Sequence, residues 1–301
     1  MANIFSEEQI KNKDIDTLKR WLRYKLGGYV VAIRNIRTDN IFYRGVRHQR
    51  RPRKISDVSY PPPDEVKKYG RANRVGQPMF YGCRGAPGVF YELRAKQGDL
   101  IAVSEWGVTE SLWIHHLGYH PDTLQRLGRS DGDIRQSLTN PIPNETKKNI
   151  KVRRQLSLAF TEDVPEGNEY RYKQSIAIHE LNFDGASPLP QRPGGPTSDK
   201  AAGTAYPAMR MRGVADNVAI WPEFVDSSLR IKSVRYVLVE SAEEAKSSYS
   251  FRTVAISHSF SGDDIVWQES LPPEKDCRSR ISFENGNWVL RDGYDQIYDL
   301  H

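Results

Sequence analysis

The sequence predicts an α+β fold, one domain over residues 1–301 with an N-terminal helix at 6–26 and a helical insertion at about 107–160. Three observations predict it. The N-terminal segment repeats apolar residues at helical spacing. The middle third holds short helical patterns and little strand signal. From residue 168 onward strand-like runs dominate. Strands flank the helical middle, so an insertion into one domain is the simpler reading.

Each element has its own local reason. In 6–26, Ile10, Ile15, Leu18, Leu22 and Leu26 fall near helical spacing, Ser6 can cap the start and Gly27-Gly28 stops the run. Phe42–Val46 reads as a short strand. Residues 48–63 are basic and end in Pro61-Pro62-Pro63, a loop signal. Pro78–Gly82 is predicted as a strand, Ala86–Gln97 as a helix and Asp99–Trp106 as a strand. Helical patterns follow at Thr109–Leu117, Pro121–Leu127, Asp133–Leu138 and Glu145–Phe160. Strands are then expected at Tyr172–His179, Gly203–Met209, Asn217–Trp221, Val234–Glu240, Phe251–His258, Ile265–Gln268 and Trp288–Arg291. Ser187–Thr204, with four prolines and Gly194-Gly195, reads as a long irregular loop.

Composition narrows the function classes. Mean hydropathy is −0.66 and no apolar run approaches the roughly 20 residues that span a bilayer. The first residues carry no basic and apolar leader pattern, and Cys83 and Cys277 form neither a disulfide framework nor a metal spacing. A cytoplasmic location is the expectation. The net charge of +6 favours anionic partners. The basic runs Arg44–Lys54 and Lys147–Arg154 lack the interleaved aromatics of a single-strand platform, so nucleic acid is the less favoured partner. His115, His116 and His120 lack metal-ligand spacing, and no metal is expected.

One stretch concentrates chemistry: Gly70-Arg71-Ala72-Asn73, Gly76, Tyr81 and then Glu92. Glycines let the chain turn around Arg71, whose planar fork suits phosphate or carboxylate. The alternative is a surface arginine in a turn. Tyr81 closes an apolar strand and either packs or stacks on a ring. Glu92 sits among Phe90, Tyr91 and Leu93, where a carboxylate either faces solvent or belongs to a site.

In register, these residues resemble the RES domain family, named for Arg, Glu and Ser. Phe42-Tyr43-Arg44 resembles its opening strand. Gly70-Arg71-Ala72-Asn73, Gly76, Tyr81 and Glu92 resemble its core. Gly203-Thr204-Ala205-Tyr206-Pro207-Ala208, with Asp216-Asn217, resembles its C-terminal block. The resemblance implies an ADP-ribosyltransferase-like fold and a bacterial toxin that consumes NAD or transfers ADP-ribose, commonly neutralised by a small antitoxin. Partners implied are thus NAD and an antitoxin or regulatory protein. A homo-oligomer is left open.

The resemblance also implies roles. Arg44 and Glu92 would be catalytic, Arg44 with Arg71 clamping the diphosphate and Glu92 holding ribose hydroxyls or the developing cation. Tyr81 would stack on nicotinamide. Asn73, Tyr206 and Asn217 would complete the NAD site. Ala208 stands where the family pattern has serine. Three readings remain: a deliberate replacement that disarms the enzyme, which is favoured; a branch without the serine; or a shifted register with Ser187 or Ser198 in the role. Hydrolysis, ADP-ribose transfer to a protein and silent nucleotide binding all stay open.

Overall fold

A computed structural model describes residues 4–26, 32–129, 146–183, 200–243, 247–268, 278–284, 287–293 and 296–299. The chain opens with helices α1 (Glu7–Asn12) and α2 (Ile15–Lys25), then strands β1 (Ile33–Ile36), β2 (Ile41–Arg47) and β3 (Phe80–Cys83). Helix α3 (Gly88–Glu92) precedes β4 (Leu100–Val108) and β5 (Leu112–His116). Helices α4 (Pro121–Arg126), α5 (Lys147–Phe160) and α6 (Tyr172–Phe183) follow. Then come β6 (Gly203–Pro207), β7 (Asp216–Ile220), α7 (Pro222–Ser228), β8 (Leu229–Glu243), β9 (Ser248–Ser257), β10 (Ser259–Ser261), β11 (Asp264–Val266), β12 (Arg278–Glu284), β13 (Asn287–Asp292) and β14 (Ile297–Asp299). The class is α+β, with mostly antiparallel pairing.

Two compact units share the chain. The first holds Met1–Thr38, Pro61–Tyr81 and Glu110–Ser228; the second holds Asp39–Tyr60, Gly82–Thr109 and Leu229–His301. In the first, β5 pairs antiparallel with β1 and parallel with β6, and β6 pairs antiparallel with β7. Helix α6 packs on α2, α5 and β6. Residues Gln174–Leu181 of α6 are buried without interruption. In the second unit, β4 lies between β2 and β8, and β8, β9, β12, β13 and β14 pair on in sequence, all antiparallel. Val58, Ala102, Val234, Tyr236, Ala255 and Ile265 form a core there.

Several expectations are corrected. The helix expected at 6–26 is two helices: Asp14 caps α2 by accepting the Thr17 N–H at 2.6 Å, and Lys13 closes α1 in extended conformation. Thr109–Leu117 contains strand β5 rather than a helix, because this buried run sits between two partner strands. Tyr172–His179 is the first part of helix α6 rather than a strand. A helix buried on all sides loses the 3.6-residue alternation that would reveal it. Helix α3 is shorter than Ala86–Gln97, since Arg94 turns left-handed at φ 48° and the Ala95 N–H reaches back to Phe90 O. The expected helix Asp133–Leu138, most of the expected loop Ser187–Thr204, the alternative serines Ser187 and Ser198, and Cys277 lie outside the described residues. Among the described residues no helix is long and apolar enough to cross a membrane.

Candidate functional site

In the second unit, β2 carries Arg44 and α3, which lies on β2, carries Glu92. Arg44 sits mid-strand on β2, with its Nε–H donated to Ser59 O at 2.7 Å. Glu92 ends α3. What lets α3 lie on β2 is Gly45: a Cβ there would stand 2.1 Å from Val89 Cγ1 and 2.9 Å from Leu93 Cδ1. Aromatic packing fixes the helix from its other side. Phe90 stacks on Phe251 at 4.4 Å, and Tyr91 meets Tyr249 and Trp288 edge-on at 4.7 and 4.5 Å. The Tyr91 hydroxyl donates to Ser247 O at 2.7 Å.

Both charges act on one buried sulfur. Cys83 pairs with Tyr43 across β2 and β3. Burial pushes its thiol well above the usual range; the Glu92 carboxylate pushes the same way and the Arg44 guanidinium opposes. The thiol is held neutral and inert.

In the first unit, the Gly70–Tyr81 stretch folds into a lock. The Tyr81 hydroxyl donates to Asn73 Oδ1 at 2.7 Å and accepts the Ala72 N–H at 2.8 Å. Asn73 Nδ2 donates to Arg74 O at 2.9 Å. A Cβ on Gly70 would lie 2.2 Å from Asn73 Oδ1 and 2.9 Å from Tyr81 Oη, so a side chain there would have to displace the lock. The hydroxyl of Tyr81 is therefore engaged by its own loop.

Arg71 is buried, at 8% exposure. Its Nη1 donates to Phe160 O and its Nη2 to Glu162 O at 3.0 Å. Its guanidinium also lies 5.4 Å from the Tyr172 ring and 5.6 Å from the Tyr206 ring. Phe160 ends α5, so Arg71 satisfies carbonyls that a helix end leaves without partners, where the dipole favours a cation. This is the work of a helix-end clasp rather than an open phosphate fork.

Tyr206 meets Phe160 edge-on at 5.4 Å and faces Asn217 across β6 and β7; both residues are buried. Ala208 is wholly buried. Its N–H donates to Ala215 O at 2.8 Å, and its carbonyl accepts from Met211 and Gly213 at 3.0 and 2.9 Å. The methyl is enclosed in a tight turn. The structure thus groups Arg71, Tyr206 and Asn217 around β6, locks Asn73 to Tyr81, and sets Arg44 with Glu92 in the other unit.

Some features were not singled out from sequence. Arg74 grips Glu180 with Nε and Nη2 at 2.5 and 2.7 Å, and Asp16 with Nη1 and Nη2 at 3.0 and 2.6 Å. Its partners lie 58 and 106 residues away, so no local pattern signals the pair. Beside it, a cleft of about 380 Å³ is lined by Lys13, Asp14, Tyr69, Arg74, Val75 and Lys173, among others. None of the predicted site residues lines it. His179 is buried, bonded at 2.7 Å to Thr204 Oγ1 and stacked 4.8 Å from Trp221. His120 caps α4 by accepting the Asp122 N–H at 3.2 Å, with Pro121 at the first helical position. No family model, curated protein or solved structure matches this chain.

Proposed function

We propose that this chain is an NAD-cleaving enzyme of the glycohydrolase type, a toxin or defence effector with an ADP-ribosyltransferase-like fold, carrying Ala208 where its active form has serine. The observation that carries the reading is the seating of α3 on β2 at Gly45, which sets Glu92 at the end of α3 and Arg44 on β2 within one unit. These are two of the three residue positions that the resemblance ties to the reaction. The third is Ala208.

The chemistry asks for such a pair. As the bond between nicotinamide and ribose breaks, its electron pair leaves with nicotinamide and the ribose carbon gains positive charge. A water oxygen bonds to that carbon and releases a proton. Glu92 stabilises the cation and receives the proton; Arg44 pairs with the diphosphate. A protein side chain attacking in place of water would give ADP-ribosylation from the same site. In this reading Arg71, Asn73 and Tyr81 hold their own loop through the bonds described above, and Tyr206 and Asn217 hold β6 and β7 in register.

A second reading, a catalytically silent NAD or nucleotide binder, is favoured by the complete enclosure of the Ala208 methyl, which a native alanine suits. Nicotinamide release separates the two. The chain, Ala208→Ser, and Ala208→Ser with Glu92→Ala are compared for NAD turnover and NAD binding. Turnover in Ala208→Ser, falling about 100-fold or more when Glu92 is removed, is the expected result. NAD binding without turnover in Ala208→Ser would establish the silent binder. Full activity without Glu92 would remove the site assignment.

A further inference from the structure

The basic run after β2 has a structural property that the NAD reading does not use. Its main chain is pinned from several directions. The Asp57 carboxylate accepts the N–H groups of Arg53 and Lys54, each at 2.9 Å. Arg53 O accepts the Ile265 N–H, and Asp263 O accepts the Ile55 N–H, both at 2.7 Å. Lys54 forms a bridge with Asp264 of β11. Pro52 O accepts the Trp267 indole N–H at 2.8 Å. The Asp263 carboxylate takes the N–H and hydroxyl of Ser56 at 3.2 and 3.1 Å.

The side chains do the opposite. Arg50, Arg51, Arg53 and Lys54 are exposed while Pro52 is buried, and Arg51 and Arg53 flank it two residues apart with exposed side chains. Arg51 rests over Trp267 at 5.4 Å. Among the described residues no carboxylate pairs with the cationic groups of Arg50, Arg51, Arg53 or Lys54. The carboxylates of Asp57 and Asp263 are spent on N–H and hydroxyl groups, leaving exposed Asp264 as the acidic side chain of the facing strand. A chain whose main chain is held and whose cations are unneutralised has already met the main-chain part of the ordering cost of binding.

We propose that Arg50–Lys54 is a docking strap for an acidic, extended segment of a partner protein. Alternate residues of an extended strand repeat at about 6.6–6.8 Å, and carboxylates on one face of an extended partner repeat at the same interval. Arginine forks pair with carboxylates through two parallel bonds. Val266, 48% exposed, lies next to Trp267. Arginine and tryptophan beside an exposed apolar side chain match the composition of protein interfaces. A polynucleotide fits less well. Arg51 lies over one face of the Trp267 ring and its N–H is engaged, which takes that face and the indole donor out of use for base stacking.

The test uses the full chain and two fluorescent probes, a short peptide of alternating Glu and Thr and an oligo-dT of equal charge, followed by anisotropy at physiological salt. Peptide binding is expected. Arg51→Glu with Arg53→Glu should weaken it about tenfold or more. Lys147→Glu with Lys148→Glu, the same change in net charge on α5, should leave it near the starting value. Arg53→Glu alone, which spares the Arg51–Trp267 contact, should show part of the loss with an unchanged melting curve. No binding of the peptide, or equal loss in the α5 variant, would overturn the proposal. Tighter, strap-dependent binding of the oligo-dT would overturn it in favour of a nucleic-acid contact.

Discussion

His179 illustrates what burial does to a single side chain. Its ring is enclosed by α6, β6 and the residue after β7, with Nδ1 on Thr204 and one face on Trp221. Burial, reinforced by His115, lowers its pKa from 6.5 to about 3. The imidazole is therefore neutral in the fold and takes a proton only when the chain unfolds. Its contribution is fully present above about pH 6.5 and is lost as pH falls from there toward about 3, at a slope of at most about 1.4 kcal/mol per pH unit. Wild-type melting temperature should fall between pH 7 and 5, and His179→Asn should flatten that fall. An NMR titration in which the His179 ring protonates near pH 6.5 in the folded protein would refute this. The sequence shows the histidine but not its enclosure, which comes from residues 25 or more positions away. Gly70, Asn73 and Tyr81 differ. Their spacing marks a built loop in the sequence, yet their use is internal: each hydrogen-bonding group of the lock is turned onto the loop itself.

At the level of elements, what was legible depended on whether the cause lay nearby in the chain. Strands β2, β3 and β4 were readable because their apolar runs are bounded by local turn signals. The break between α1 and α2 was also written locally, in Asp14 as the cap of α2, although the continuous apolar spacing obscures it. Strand β5 and helix α6 were not readable, since both owe their form to neighbours that cover them on every side. The placement of α3 on β2 follows the same logic through Gly45, whose missing side chain makes room for Val89 and Leu93. Gly45→Ala should therefore push α3 away and cost about 1–3 kcal/mol. Valine is stiff at its first torsion, so Val89 cannot simply swing aside. Removing the obstructing methyls with Val89→Ala should make the double variant more stable than the sum of the two single losses. Denaturant melts of the four proteins measure that coupling. Strict additivity would mean that Gly45 does not set the seat of α3, and with it the position of Glu92.

For the whole molecule, the decisive fact is connectivity. The chain crosses between its two units after Thr38, Tyr60, Tyr81, Thr109 and Ser228, so each unit is assembled from three separate pieces. Because of this interleaving, neither unit is a continuous stretch that a linker could delimit. It also sets a folding requirement. Strand β8 forms its long ladder with β4, contributed from residues more than a hundred positions earlier, and β4 in turn pairs with β2. A fragment of residues 229–301 contains β8 to β14 but lacks β4 and β2. It would leave the β4-facing edge of β8 bare and expose Val234 and Tyr236, which belong to the shared core with Val58 and Ala102. Such a fragment should be unfolded or aggregated, showing no cooperative thermal transition by circular dichroism. Adding residues 39–109 in trans should supply β2 and β4 and restore a transition, because the missing ladder and core residues then all come from that piece. A cooperative transition in 229–301 alone would show that β8 to β14 is stable without its β4 neighbour, and that the two halves of the second unit's core are energetically separate.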